Sequence, residues 1–237
     1  MHGGAENNWS MAKTISIIIP VLNEAKTLAA TLHTLQKFRA VCELVLVDGG
    51  SNDASQHIAM PLVDQVLQAP PGRARQMNVG AQEANAGILL FLHADTQLPD
   101  DAVAQIMQAC SDPYAWGRFD VAFDHPHWLF MVIAFMMNRR SCLTGICTGD
   151  QGLFVTRLAF DSIGGFPEIA LMEDIALSAN LKKITRPYCL RTKVVTSVRR
   201  WQQHGIIKTI MTMWYLRLKY FLGTDPDALA KHYYGSK

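Results

Sequence analysis

Three short, predominantly apolar runs are each followed by carboxylate, amide or imidazole side chains that could hold a ribose, a base or a metal ion. The runs occupy residues 15–19, 43–47 and 88–92 and have the composition of strands buried on both faces of a parallel sheet. In open parallel sheets, ligands bind beyond the carboxyl ends of the strands. We therefore expect the polar segments that follow these runs to converge on one crevice, namely 20–24, 48–53 and 93–97.

Asp48 ends the second predicted strand and is followed by Gly49 and Gly50. Its carboxylate can accept hydrogen bonds from a ligand, and the glycines let a ligand approach the backbone closely. The alternative is that Asp48 only turns the chain. For Asp53 we favour the structural role, as a cap of the helix predicted to begin at Ala54.

His93, Asp95 and Gln97 alternate directly after the third run, so they share one side of the chain. Carboxylate and amide oxygens suit Mg²⁺ or Mn²⁺, and both a metal site and a purely structural role are open at this stage. The remaining histidine candidates lack a third ligand nearby and are interpreted as structural. They are His125, His127 and His204.

The order of the predicted elements indicates an α/β fold. From residue 14, short β-branched runs alternate with helical patterns, which is typical of βαβ units and a mostly parallel sheet flanked by helices. We expect Asn23 to cap the first helix, with Glu24 in its first turn, and Asp100 and Asp101 to lie in the first turn of a later helix. Further strands are predicted at 63–67, 119–123, 152–156 and 193–198, and helices at 73–84 and 171–183.

Glu173 and Asp174 lie near the start of the helix predicted at 171–183. The helix dipole stabilises acids there in any case, so the residues alone favour a structural role.

The composition excludes several classes of protein. A chain of 237 residues with 49% hydrophobic and 18% charged residues folds as a domain and is not a disordered linker. With 22 basic against 20 acidic residues, the charge is too small for a protein held on nucleic acid by phosphate neutralisation. The five scattered cysteines form no C-x-x-C pair, so we expect neither disulfides nor a zinc site and expect a reducing cytoplasm.

Two apolar stretches, 128–137 and 206–222, could meet a membrane surface. The first is too short to span a bilayer, and the second contains Lys208, Arg217 and Lys219. Packing in the core or against a second subunit is slightly favoured, and peripheral contact with the inner face of the membrane is the alternative.

Several motifs occur in the order seen in family 2 glycosyltransferases of the GT-A fold, which the chain resembles over residues 14–201. The motifs are SIIIPVLNE at 16–24, LVDGGSNDAS at 46–55, NVGA at 78–81, FLHAD at 91–95, GGFP at 164–167 and the pair Glu173-Asp174. The chain also resembles a bacterial subgroup marked by GRARQMN at 72–78, TG at 144–145, GDQ at 149–151 and RRW at 199–201.

The resemblance implies roles for individual residues, with Asp174 as the catalytic base. It assigns the donor nucleotide to Pro20, Asn23, Glu24 and Asp48, with Asp95 on the metal ion that bridges the diphosphate. Gly49, which allows a close approach of the backbone, and the guanidinium of Arg73 are added as donor candidates from their own chemistry. Guanidinium forks bind phosphate oxygens in pairs, which makes Arg73, Arg75, Arg199 and Arg200 candidates for phosphate contacts, with a solvated basic face as the alternative. Asp150 and Gln151 lie close to where the family places acceptor contacts, and Glu173 and Trp201 are grouped with these candidates. The divalent cation, Mg²⁺ or Mn²⁺, falls to Asp95 with His93 and Gln97. The family usually has Asp-x-Asp where this chain has His93-Ala94-Asp95, while Gln97 matches similar polyprenyl-phosphate sugar synthases.

The implied activity is an inverting, metal-dependent transfer of a sugar from a nucleotide-sugar donor, expected to be UDP-linked, to an unidentified hydroxyl or phosphate acceptor. A carboxylate takes the acceptor proton, while the cation and arginines neutralise the departing diphosphate. One alternative is a polyprenyl-phosphate glycosyltransferase at the membrane. Another is a nucleotide-sugar binding protein that has lost turnover through its altered metal motif.

The composition, which changes near Tyr114, divides the chain. We expect a flexible leader at 1–13 and one GT-A (Rossmann-like) domain at 14–237. Within the domain, 14–113 form the nucleotide-binding half, 114–204 the acceptor half and 205–237 a helical tail, which could mediate a homodimer.

Overall fold

The computed structural model describes residues 13–235, with only the backbone conformation described at Arg200, His204 and Gly235. Residues 1–12, nearly all of the predicted leader, lie outside this range. The strands are β1 (Ile15–Val21), β2 (Cys42–Asp48), β3 (Gln65–Gln68), β4 (Ile88–Phe91), β5 (Thr96–Gln97), β6 (Trp116–Phe123), β7 (Leu153–Thr156) and β8 (Tyr188–Thr196). The α-helices are α1 (Ala25–Leu35), α2 (Ser55–Ala59), α3 (Arg73–Glu83), α4 (Ala102–Ala109), α5 (Trp128–Thr144), α6 (Arg157–Ser162), α7 (Glu173–Leu181), α8 (Arg199–His204), α9 (Ile206–Phe221) and α10 (Pro226–Gly235).

These strands form one sheet in the order β3-β2-β1-β4-β7-β6-β8-β5. The strands β3, β2, β1 and β4 are parallel, whereas β7 is antiparallel to both β4 and β6. The chain enters β7 from the short 3-10 helix Gly149–Gln151, which lies at the carboxyl end of β4, so β7 must run back across the sheet. The predicted α/β fold is confirmed, with a parallel first half and a mixed second half.

The central strands are buried because both faces of the sheet are covered by helices. Ile17 of β1 joins a cluster with Leu28 and Leu32 of α1, while the next residue, Ile18, joins a cluster with Met77 of α3. Successive side chains of a strand point to opposite faces, so β1 is held between the two layers. All seven residues of β2 are buried. This packing fixes the carboxyl ends of the central strands, where the polar segments begin.

Two helix starts differ from the sequence prediction. The helix α1 begins at Ala25 with Glu24 as its N-cap residue, and Asn23 is not the cap. Asn23 instead adopts a left-handed backbone conformation with φ of 55°, because its N–H donates to Ser51 Oγ and its side-chain oxygen accepts from the N–H of Asn52. The helix α4 begins only at Ala102, so Asp101 precedes its first turn.

The C-terminal helices pack on the second half of the sheet domain. Leu216 of α9 and Leu229 of α10 are buried in a cluster with Ile146, Met172 and Ile175. Met172 and Ile175 flank the predicted catalytic pair at the start of α7. The helical tail is confirmed, and it lies against the segment that carries Glu173 and Asp174.

Candidate active site

Asp48 holds the loop that follows β2. Its side chain is fully buried, and Oδ2 accepts hydrogen bonds from the N–H groups of Gly50 and Ser51 at 3.0 and 2.9 Å and from Gln56 Nε2 at 2.7 Å. Oδ1 accepts from Ser51 Oγ. Burial alone would raise the pKa of Asp48, but these bonds, led by those from Ser51, lower it. In this structure the carboxylate therefore shapes the loop rather than facing the crevice.

Asp53 has the structural role that its sequence context favoured. Its carboxylate accepts from the N–H of Ser55 at the start of α2 and from the N–H of Ala25 at the start of α1, both at 3.0 Å. One side chain thus joins the amino ends of two helices that border the crevice.

Gln76 of the GRARQMN segment joins the ends of β1 and β2. Its buried side-chain amide donates to the carbonyl oxygens of Val21 and Val47, each at 2.8 Å. A Cβ atom at Gly49 would lie 3.0 Å from this amide, so glycine leaves room for it. Gly49 therefore contributes shape to the floor of the crevice.

Two predicted donor residues, Glu24 and Asp95, lie close to Arg199. Arg199 Nη2 donates to Glu24 Oε2 at 2.6 Å. The hydrogen bond with Glu24 and the nearby charge of Asp95 raise the pKa of Arg199. Because Arg199 begins α8, this contact brings the RRW segment to the carboxyl ends of β1 and β4. The side chain of the neighbouring Arg200 lies outside the described part of the structure.

The predicted base Asp174 lies beside His93 and Glu173. The N–H of Gly149 donates to Asp174 Oδ2 at 2.8 Å, and Gly149 also touches His93, since a Cβ atom at 149 would lie only 2.4 Å from His93 Nε2. These groups line a cavity that has room for about one water molecule, about 10 Å³. Its apolar lining consists of Met77, Phe91, Leu153 and Phe166.

Burial and neighbouring charges shift the pKa values of both Glu173 and Asp174. Burial raises the pKa of Glu173 to about 7, assisted by the charge of Asp174 and opposed by Arg73. Burial also raises the pKa of Asp174, with a further contribution from Asp150, despite hydrogen bonds from the N–H groups of Gly149 and Ile175. A pair of carboxyl groups with raised pKa values is suited to accept a proton from a substrate.

Basic side chains surround this pair. Arg73 is the first residue of α3, and desolvation would lower its pKa, but the charges of Glu173, Tyr234, Asp174 and Tyr233 together raise it. Arg217 of α9 stabilises ionised Asp174. Arg140 of α5 is half-buried, with Asp150 and Asp174 in its electrostatic surroundings.

Other predicted site residues have structural partners in this conformation. Gln151 is fully buried; its Oε1 accepts a hydrogen bond from the N–H of Thr148, and its Nε2 donates one to Ser141 Oγ. Trp201 packs edge-on against Phe123, with ring centroids 5.6 Å apart. Arg75 forms an exposed ion pair with Glu168 at 3.4 Å. Pro20 lies within β1. The structure therefore does not bring Gln151 and Trp201 to the Asp174 cavity.

The proposed metal ligands do not form a cluster by themselves. Within residues 13–235, no group of three or more His, Cys, Asp or Glu side chains could hold a metal ion. Gln97 is exposed and lies in β5, opposite Val195 of β8. His93 lies in the Asp174 cavity. A single carboxylate can still suffice for Mg²⁺ or Mn²⁺ when substrate phosphates supply further oxygens, and Asp95 is the candidate for it.

Sequence reasoning missed Arg140 and Arg217, which lie near the catalytic pair. Both are cations in helices rich in apolar residues, Arg140 in α5 and Arg217 in α9. A charge inside an apolar helix is the signal that could have identified them, since such positions seldom hold a charge without a partner.

Comparison with known proteins agrees with this geometry. Residues 16–159 match the family model "Glycosyl transferase family 2". A PGL/p-HBAD biosynthesis glycosyltransferase of Mycobacterium bovis is 40% identical over 182 residues, covering 65% of this chain and 64% of that protein. An undecaprenyl-phosphate 4-deoxy-4-formamido-L-arabinose transferase of Pectobacterium atrosepticum is 28% identical over 114 residues, covering 43% of this chain and 35% of that protein. The chain thus spans less than two thirds of the length of either relative.

Solved structures support the fold. The mannosyltransferase PcManGT from Pyrobaculum calidifontis, solved with GDP-Man and Mn²⁺, superposes with a TM-score of 0.60 at 20% identity, covering 78% of this chain and 56% of that one. At this identity the likeness is evidence for the shared GT-A architecture alone. Because the family model matches more than half of the chain, the protein belongs to glycosyl transferase family 2.

Proposed function

We propose that this protein transfers a sugar, with inversion, from a nucleotide-sugar donor to an acceptor at the carboxyl ends of β1, β2 and β4. The observation that carries the proposal is the pair of buried Glu173 and half-buried Asp174, which shares a cavity with His93 at the end of β4. Family membership supplies the reaction class. The identity of the donor, the need for a metal and the stereochemistry are parts of the proposal.

On the donor side, the nucleotide lies over the loops after β1 and β2. Asn23, Glu24 and Arg73 contact it, with Pro20 and Gly49 shaping the floor and Asp48 acting through the loop that it holds. Asp95 binds Mg²⁺ or Mn²⁺ together with diphosphate oxygens, and the cation supplies charge neutralisation for the leaving group. UDP is the expected nucleotide from the resemblance, although the solved mannosyltransferase was bound to GDP-Man.

On the acceptor side, Asp174 takes the proton of the attacking group. Burial raises the pKa of this carboxyl, which makes the carboxylate a stronger base than an exposed aspartate. The N–H groups of Gly149 and Ile175 hold both of its oxygens, which fixes the orientation of the carboxylate. A single base opposite the leaving group leads to inversion. Glu173, Asp150 and Arg75 border the acceptor path, with Trp201 and Gln151 as outer supports.

A polyprenyl-phosphate acceptor at the membrane is the second candidate, and a specific observation favours it. The helices α5 and α9 expose large apolar side chains, among them Met131 at 68%, Phe135 at 65% and Trp214 at 62%. Within the described residues, no helix combines the length and the apolar character needed to cross a bilayer. The named activity of the Pectobacterium relative also involves an undecaprenyl-phosphate substrate. Absence of flotation with anionic liposomes would contradict membrane contact.

The proposal is tested by a thermal-shift panel of nucleoside diphosphates with and without Mn²⁺. A ligand that binds only the folded state raises the melting temperature, by an amount that grows with concentration above its Kd. We expect one nucleotide, UDP first, to raise it in a Mn²⁺-dependent way. No shift with any nucleotide would contradict the function. Slow metal-dependent hydrolysis of the matching sugar donor then separates an enzyme from a binding protein without turnover.

A further inference from the structure

Arg140 has two buried nitrogen atoms without partners. Its Nε and Nη2 are shielded from solvent and make no hydrogen bond in the structure. The residue lies in the last turns of α5, close to the Gly145 end that leads to Asp150. A guanidinium presents its N–H donors in a fixed fork. Because Nε and Nη2 lie on the same edge of this fork, one whole hydrogen-bonding edge of Arg140 is unused.

A second cation, Arg217 of α9, belongs to the electrostatic surroundings of Arg140. Burial and then the charge of Arg217 lower the pKa of Arg140 to about 10, so the two guanidinium groups repel each other. Arg217 follows the fully buried Leu216, which packs against Ile146 and Met172. Packing therefore holds the two cations together against their repulsion.

The nearby carboxylates Asp150 and Asp174 offset the charge of this pair only in part and without direct contact. Among the described residues, neither Arg140 nor Arg217 forms an ion pair within 4.0 Å. Asp150 Oδ1 is itself buried without a hydrogen-bond partner, and Asp174 is bound by the N–H groups of Gly149 and Ile175. Buried donors and acceptors that stay unpaired are costly. One group that accepts from both arginines and donates to Asp150 would satisfy all of them.

We propose that Arg140 and Arg217 bind a phosphomonoester group of the acceptor substrate beside Asp174. The inference rests on the proposed function, because it places the acceptor end of that same site. Phosphate oxygens accept the paired N–H groups of guanidinium forks, and a singly protonated phosphate also offers an O–H to Asp150. No other anion-binding role assigned above uses these two residues.

The location of the pair suits an acceptor rather than the donor diphosphate. Arg140 and Arg217 approach Asp174 from α5 and α9, whereas Asp95 and Arg199 lie near Glu24 at the donor side. The same two helices carry exposed apolar faces, so a phosphate on a lipid could reach the arginines along them. A water-soluble phosphomonoester has the same head-group chemistry, and the experiment separates these sources.

The first test measures the melting temperature with inorganic phosphate against chloride at equal ionic strength. The wild type should melt at a higher temperature with phosphate. Arg140→Met should lose this response and melt at a higher temperature than wild type in chloride, because it removes an unpaired buried charge. Arg217→Gln should weaken phosphate binding by about tenfold or more, as expected for a lost charge-assisted hydrogen bond. Arg139→Gln, an exposed neighbour on α5, should behave as wild type.

The proposal is overturned if Arg140→Met and Arg217→Gln both keep the wild-type phosphate response, or if Arg139→Gln loses it equally. Should Arg140→Met fail to fold, Arg217→Gln decides. The shift caused by UDP with Mn²⁺ is recorded on the same samples. This UDP-dependent shift stays unchanged in the variants if the donor site is intact. Its absence in the wild type would count against the proposed function and not against the phosphate site.

The source of the phosphate is then determined with two further probes. Flotation with phosphatidylcholine vesicles that contain undecaprenyl phosphate, lost in Arg217→Gln, would support the inference and identify a lipid acceptor. If soluble phenyl phosphate competes with inorganic phosphate and the protein does not float with the vesicles, the result supports the inference and identifies a soluble acceptor. Failure of the wild type to bind inorganic phosphate, phenyl phosphate and the vesicles alike overturns it.

Discussion

Replacing Glu173 with Gln should stabilise the protein at neutral and alkaline pH. Folding raises the pKa of this carboxyl from 4.5 to about 7, chiefly through burial and then through the charge of Asp174. The folded state thus binds the proton more tightly than the unfolded state, so the stability linked to Glu173 is fully present below pH 4.5 and is lost as pH rises through about 7. At about 1.4 kcal/mol per pH unit, the loss amounts to about 3 kcal/mol.

Urea unfolding followed by tryptophan fluorescence measures this effect. The free energy of unfolding of wild type, taken relative to Glu173→Gln, should fall by about 2.5 kcal/mol between pH 5 and pH 8. The matched control is Glu168→Gln, whose carboxylate is exposed and paired with Arg75 at 3.4 Å. An exposed pair contributes little, so the control should follow wild type within about 1 kcal/mol at both pH values. A constant difference between wild type and Glu173→Gln across this range would refute the electrostatic account of the pair.

The remaining predictions concern catalysis and metal binding. Asp174→Asn should lower the rate of sugar transfer by about 100-fold or more while UDP affinity stays within about twofold, because it removes only the proton acceptor; normal turnover would exclude it as the base. Asp95→Ala should abolish the Mn²⁺-dependent part of the nucleotide thermal shift, and an unchanged shift would place the metal elsewhere. Gly149→Ala should displace His93, since the added Cβ would lie 2.4 Å from Nε2; kcat should fall with little change in UDP affinity, and wild-type kcat would contradict the closeness of this contact.

The sequence predicts the sheet core and the place of the crevice because local composition dictates them. Predominantly apolar runs such as 15–19 and 43–47 are typical of strands buried on both faces, and the structure confirms β1 and β2 there. The prediction for β8 began at 193, whereas the strand starts at Tyr188. Its first half alternates between exposed and half-buried positions at the edge of the fold, so it lacks the apolar run that identifies a central strand.

The partners of individual polar side chains depend on how the chain folds around them, both within a loop and between distant segments. Asp48 carries the same motif whether it faces a ligand or its own loop, and only the fold shows Ser51 and Gln56 around it. The side-chain amide of Gln151 similarly forms its hydrogen bonds with Thr148 and Ser141. Arg140 and Arg217 are far apart in the chain, and only the packing of α9 on the segment around α7 brings them together. No local pattern could have paired them.

A crystal structure of the protein with UDP, or with whichever nucleotide gives the largest thermal shift, and Mn²⁺ tests the central claim most directly. We expect the diphosphate beyond the carboxyl ends of β1, β2 and β4, the metal ion on Asp95, and Asp174 facing the position where the sugar would follow the second phosphate. A nucleotide bound at the opposite edge of the sheet, or a metal ion held without Asp95, would contradict the account.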